Sequence, residues 1–241
     1  MGNIGKVSVL LPTRGRYVAL QDSLYSLSNT IGSELINLLI LVDNERESYE
    51  IAKNFDKRRV FNTYNVLYSE RRLYSVKAFC SLFEKCNTDL FVWVSNTIKY
   101  RPDWLLKSLN FFKRVFPDSV GVLSLGGKMN KANFGMSSKK FVEYNEGEWF
   151  SDKYKINFCD DELTCRAILL GRYFCLENSG VVMDPSIIKR ELLFGSPEEK
   201  RVMKVNDRTV FYDRSEHNFY LPKNKIYEWK GFRNIFMELK G

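Results

Sequence analysis

VSVLLPTRGR, residues 7–16, reads as a short apolar strand from Val7 to Leu11 that is stopped by Pro12 and followed by a polar turn. Apolar residues at Val18, Leu20, Leu24 and Leu27 then fall near helical spacing, so the unit is strand, loop, helix. The unit recurs with Ile36 to Val42 as strand and Glu45 to Phe55 as helix, then with Val60 to Tyr68 and Ser75 to Cys86, and Leu90 to Val94 adds a further strand. Short apolar strands that alternate with helices need right-handed crossovers, which gives a parallel sheet inside an α/β sandwich. Ligands in such sheets collect at the carboxyl ends of the strands. The places to inspect are therefore Thr13 to Arg16, Asp43 to Arg46, Ser69 to Arg72 and Ser95 to Thr97.

Beyond Pro102 the pattern continues as a helix through Val115 and a strand from Val120 to Leu125. Gly126 to Asn157 is polar, aromatic and poorly periodic, and is expected to be a long loop over one face. Asp160 to Leu170 is expected to be helical, Tyr173 to Met183 extended, residues 202–221 short strands, and Ile226 to Leu239 an amphipathic helix. The absence of repeats and of a Ser/Gly-rich linker predicts one domain over 1–222 with a C-terminal amphipathic extension at 223–241.

The chain has 241 residues, of which 44% are hydrophobic and 27% charged, as expected of a folded protein rather than a disordered chain or a coiled coil. Lys and Arg exceed Asp and Glu by 37 to 29, a formal charge of +8 that favours an anionic partner. The cations are scattered in short clusters such as Lys57-Arg58-Arg59, which argues against a specific nucleic-acid binder. Five cysteines without a Cys-x-x-Cys pair indicate neither a disulfide framework nor a zinc ribbon. The N-terminal apolar run is too short for a signal peptide or a membrane span, and the expected location is the cytoplasm. One histidine, His217, and no Gly-x-Ser-x-Gly elbow disfavour a triad hydrolase.

Asp43 stands just past a strand, where a carboxylate accepts from a base or ribose donor; an Asp in that place also serves as a helix N-cap or turn residue. Arg14, Arg16, Arg71 and Arg72 offer phosphate contacts. Neither G-x-G-x-x-G nor G-x-x-x-x-G-K-[ST] is present. In FCDDELTCRAILLG, residues 158–171, Asp160 and Asp161 open a helix, Glu162 and Arg166 stand one turn apart, and Gly171 closes it.

The ordered set of motifs resembles the nucleotide-sugar glycosyltransferases with a GT-A fold, especially glycosyltransferase family 2. VSVLLPTRGR is similar to that family's opening, LLILVDNER (38–46) to its second strand ending in Asp, FVWVSNTIKYRPDWLL (91–106) to its middle motif through Pro102, Trp104 and Leu105, and FCDDELTCRAILLG to its acidic motif. The resemblance implies a GT-A, Rossmann-like α/β/α sandwich with a mostly parallel central sheet. It implies a nucleotide-sugar donor held by Thr13, Arg14, Asp43, Arg71, Lys77, Asn96, Thr97, Gly126 and Gly127, and inverting transfer to a hydroxyl with Asp160 as base and Asp161 as runner-up. A saccharide or lipid-linked acceptor follows, with Phe134, Tyr144, Trp149 and Phe150 as aromatic platforms; the apolar stripe of the tail, Phe232, Ile235, Phe236 and Leu239, reads either as a helix packed on the protein's own core or as a peripheral contact with an anionic membrane surface. Where the family carries an Asp-x-Asp that ligates Mn²⁺ or Mg²⁺, this chain has Ser95-Asn96-Thr97, a poor ligand set for a hard cation; Asn96, Thr97 and Asp184 are the remaining candidate ligands. Arg71, Arg72 and Lys77 are candidates to neutralise the leaving diphosphate instead. The alternative is a catalytically inactive nucleotide- or carbohydrate-binding protein on the same fold.

Overall fold

The computed structural model describes residues 5–126, 131–183 and 197–226. Its first four strands, β1 (Val7–Thr13), β2 (Ile36–Asp43), β3 (Thr63–Ser69) and β4 (Leu90–Trp93), are connected through helices α1 (Tyr17–Ser28), α2 (Arg46–Lys53) and α3 (Tyr74–Glu84). They pair in parallel as β3-β2-β1-β4, with Val7 opposite both Ile36 and Leu90. β5 (Ile98–Tyr100) and α4 (Trp104–Val115) lead to β6 (Val122–Ser124), β7 (Gly135–Ser138), α5 (Lys139–Tyr144), α6 (Cys159–Leu169), β8 (Tyr173–Cys175) and β9 (Val181–Met183). α7 (Pro197–Glu216) follows. The seven-stranded sheet runs β3-β2-β1-β4-β7-β6-β8; β7 alone is antiparallel to its neighbours there, and β5 and β9 form a separate antiparallel pair.

Side-chain alternation explains why helices cover both faces. Val9, Leu11, Leu38, Ile40 and Val42 pack on one side with Leu20, Leu24 and Leu27 of α1 and with α4. Leu10, Leu39 and Leu41 point the other way, against Val76, Ala78 and Leu82 of α3. Every residue of β2 is buried, as expected of a central parallel strand covered on both faces. Each such aliphatic side chain contributes about 1.5–3 kcal/mol relative to an exposed one.

Four expectations are corrected. Gly126 to Asn157 is not one loop: it holds β7 and α5. β7 begins at a glycine because a Cβ on Gly135 would lie 2.5 Å from the Trp93 ring and 2.9 Å from the Leu123 carbonyl oxygen. The aromatics of this segment are not platforms: Phe134, Trp149 and Phe150 are buried, with Trp149 and Phe150 stacked at 4.3 Å and packed edge-on to Phe79. Tyr144 is half-buried, with the cations of Arg172 and Lys225 over its ring. Tyr173 to Met183 splits into two strands of different sheets, turned at Gly180 with φ of +88°.

Residues 202–221 carry a helix, not short strands. The buried stripe of α7 is Met203, Asp207, Phe211 and Arg214, at helical spacing but half of it charged, so apolar periodicity does not reveal it. Lys225, just beyond, pairs with Glu146 at 2.6 Å and donates to the Tyr144 carbonyl. The expected tail helix lies, apart from Ile226, outside the described residues.

Candidate active site

The carboxyl ends of β1, β2, β3 and β4 open into a cleft of about 450 Å³. The chain leaves three of these strands through left-handed residues, Gly15 and Arg16 after β1, Asn44 after β2 and Tyr74 after β3. Non-glycine residues in that conformation are strained, and the turns they make direct side chains into the cleft. Thr13, Arg14 and Arg16 line it from β1, Asp43 from β2, Arg72 and Tyr74 from the turn after β3, and Ser95 and Asn96 from the end of β4. Ile156 and Asn157 form a further wall, and Met203 and Lys204 of α7 close one side.

Asp43 is buried, and each of its oxygens accepts a backbone N–H, Oδ1 from Leu73 at 2.6 Å and Oδ2 from Tyr74 at 3.1 Å. It fixes the turn that starts α3, whereas the cap of α2 is Glu45, whose carboxylate accepts from Glu47 and Ser48. Asn96 ties two strand ends together: its Nδ2 donates to Thr13 Oγ1 at 2.9 Å and to the Gly15 carbonyl at 3.2 Å. Thr13, Arg14, Asp43 and Asn96 are thus brought into one cleft. Arg71 and Lys77 are exposed and do not line it, and neither do Thr97 and Gly126. On α3 the cleft-facing positions are Tyr74, Ser75, Ala78 and Phe79, which leaves Lys77 on another face. Gly127 and Asp184 lie outside the described residues.

From Asn157 the wall runs directly into α6, through Phe158 in a left-handed conformation with φ of +66°. Asp160 and Asp161 occupy the first helical turn, where the helix dipole favours carboxylates. Lys131 faces both, its Nζ 2.9 Å from Asp161 Oδ1 and 3.6 Å from Asp160 Oδ2. Burial, and then the charge of Asp160, push the Asp161 carboxyl up to about 6, against the pull of Lys131. The two carboxylates hold the Lys131 ammonium above its ordinary value although burial opposes it. Neither the lysine nor its pairing carries a sequence signal, because the partners stand 30 residues apart.

Behind this turn lies a buried charge network. The expected one-turn pair forms, Arg166 to Glu162 at 3.3 Å, and Arg166 also pairs with Glu148 and donates to Asn145. Arg214 of α7 joins Glu162 and Glu148 at 2.7 Å each, and the Tyr154 hydroxyl donates to Glu162 at 2.7 Å. Asp207 accepts the backbone N–H groups of Lys155, Ile156 and Asn157 at 2.8–3.0 Å. α7 therefore fixes both the cleft wall and the helix that bears the acid pair.

The residues at the end of β4 do not fit a divalent cation. Ser95 Oγ and Thr97 Oγ1 are hydrogen-bonded to each other at 2.7 Å, Thr97 is buried, and Asn96 turns its amide nitrogen, a donor, to Thr13 and Gly15. These are neutral oxygens already engaged within the protein, where a hard cation wants carboxylates. Among the described residues no three His, Cys, Asp or Glu side chains gather as a metal site requires.

The family model described as Glycosyl transferase family 2 matches residues 8–168. No curated protein matches the chain in sequence. Among solved structures the fold is similar to TarS of S. aureus, with 16% identity over 75% of this chain and 37% of that one and a TM-score of 0.61. It is similar to TarS 1–349 in complex with UDP, with 15% identity over 94% and 74% and a TM-score of 0.60. It is also similar to the mannosyltransferase PcManGT of Pyrobaculum calidifontis in complex with GDP-Man and Mn²⁺, with 13% identity over 73% and 56% and a TM-score of 0.58. The chain thus spans 37% of the first TarS chain and 56% of the mannosyltransferase chain. These likenesses show the GT-A fold, an α/β architecture with a mostly parallel sheet.

Proposed function

This chain belongs to glycosyl transferase family 2, and on that premise we propose that it transfers a sugar from a nucleotide diphosphate donor to a hydroxyl acceptor with inversion at the anomeric carbon. The observation that carries the reading is that Thr13, Arg14, Asp43 and Asn96 line a single cleft, and that its wall residue Asn157 is followed in the chain by the helix start that bears Asp160, which itself stands outside the cleft lining. UDP and GDP-Man bound to the two relatives of similar fold support a nucleotide in that cleft.

Thr13, Arg14, Asp43 and Asn96 bind the nucleoside end; Arg71, Lys77, Thr97 and Gly126 remain sequence-based candidates outside the cleft lining, and Gly127 a candidate outside the described residues. Asp160 accepts the proton of the acceptor hydroxyl as its oxygen attacks the anomeric carbon, and the bond to the diphosphate breaks on the opposite face. Arg14, Arg16 and Arg72 supply positive charge to the leaving group, the task that a cation on Asp-x-Asp would otherwise perform. Asp161, paired with Lys131, orients the acid turn.

The acceptor is a saccharide or a lipid-linked saccharide, and the protein works in the cytoplasm with a peripheral membrane contact through the extension at 223–241, beyond the domain at 1–222. The apolar residues Phe232, Ile235, Phe236 and Leu239 recur at helical spacing in that extension, flanked by cations. No helix among the described residues is long and apolar enough to cross a membrane.

The replacement of Asp-x-Asp by Ser95-Asn96-Thr97 favours a second reading, a nucleotide binder without transfer. Incubation with a panel of nucleotide sugars and candidate acceptors, assayed for released nucleoside diphosphate, separates the two. Release that disappears in Asp160→Asn supports the enzyme; tight nucleotide binding with no release across the panel supports the binder.

A further inference from the structure

One wall of the cleft presents an acid to the residues best placed to hold a phosphate. Glu199, in the first turn of α7, pairs through Oε1 with Arg72 Nη1 at 3.2 Å and accepts from the Tyr74 hydroxyl at 3.1 Å. The Arg72 guanidinium lies 4.5 Å over the Tyr74 ring, which fixes its direction. Tyr74 in turn is fixed by its backbone bond to Asp43. All four line the same cleft. Burial and the neighbouring Glu199 hold the Tyr74 hydroxyl above its ordinary pKa, so it stays a donor.

A guanidinium beside a hydroxyl donor recognises oxyanions, and it serves a phosphoryl oxygen as readily as a carboxylate. We infer that Arg72 and Tyr74 form the subsite for the donor's diphosphate, and that the Glu199 carboxylate is a built-in anion that the diphosphate must displace. The inference rests on the nucleotide-sugar reading above and deepens it. The side chains of Arg72 and Glu199 are 23% and 33% exposed, so the pair is partly solvated and weak. Two phosphoryl groups offer the same donors more charge and more acceptor oxygens, so exchange is favourable. Glu199 thereby sets the threshold for binding the donor and leaves the proton transfer at Asp160 untouched.

Titration calorimetry with uridine, guanosine and thymidine diphosphates on the wild type, Glu199→Gln, Arg72→Ala and the double variant tests this. Glu199→Gln keeps an acceptor for Tyr74 but removes the competing charge, and is expected to bind the preferred nucleotide about 3- to 10-fold more tightly. Arg72→Ala is expected to bind about 10-fold or more weakly, and in that background Glu199→Gln brings no gain, because the competitor has lost what it competes for. Equal or weaker affinity in Glu199→Gln, or a gain that persists without Arg72, overturns the inference while the nucleotide reading stands. No binding by the wild type or any variant removes both.

Discussion

Arg214 grips Glu162 with a two-pronged contact, Nε to Oε2 and Nη2 to Oε1, both at 2.7 Å. The side chains are 10% and 3% exposed, and Glu162 stands two residues from Asp160 on the same helix. The pair locks the end of α7 to the helix that carries the acid pair. Arg214→Met is expected to destabilise the fold by about 3–5 kcal/mol, because it strands part of a buried carboxylate's pairing. Urea unfolding measures it, and a midpoint equal to wild type would contradict the assignment.

Asp43 lines the cleft and holds the turn before α3, so its proposed part in nucleotide binding is tied to that turn. Asp43→Ala leaves the N–H groups of Leu73 and Tyr74 without their acceptor, which costs about 1–3 kcal/mol, and it also misplaces Arg72 and Tyr74. Nucleotide affinity and unfolding midpoint should both fall. Unchanged affinity for every nucleoside diphosphate would refute the role.

Asp160→Asn should reduce turnover by about 100- to 10,000-fold while nucleotide affinity and stability remain near wild type. Steady-state kinetics beside calorimetry checks it. Near-normal turnover would pass the role to Asp161 or end it.

Asp161 makes stability depend on pH in a defined direction. Its carboxyl is raised to about 6 in the fold, whereas an unfolded Asp titrates near about 4. Between those values the folded state binds more protons than the unfolded one, so this group's contribution to stability falls as pH rises from about 4 to about 6. The penalty is complete above that window and absent below it. The stability difference between wild type and Asp161→Asn should slope across the window and be flat on either side; a flat difference throughout would mean that the carboxyl is not raised.

Metal dependence should be weak. Activity is expected to survive chelator, since Ser95, Asn96 and Thr97 bring no negative charge to a cation, and Thr97→Asp should raise Mn²⁺ affinity measured by calorimetry. Complete loss of wild-type activity on chelation would show that a cation is held by other residues.

By itself the sequence determined the alternation of strand and helix, because β1 and β2 are buried on both faces and leave unbroken apolar runs that stop at Pro12 and Asp43. The rule that ligands collect at the carboxyl ends of parallel strands then marked Thr13, Arg14, Asp43 and Asn96, and the cleft contains all four. Only the tertiary structure decided that Arg72 faces this cleft while its neighbour Arg71 does not, since both belong to one short turn without periodicity. It alone showed α7, whose buried stripe includes Asp207 and Arg214, residues that composition assigns to the surface. Apolar burial leaves a local period in the chain, whereas a buried charge is tolerated only through a partner brought to it by folding, and here the partners of Arg214 and Arg72 lie 52 and 127 residues away.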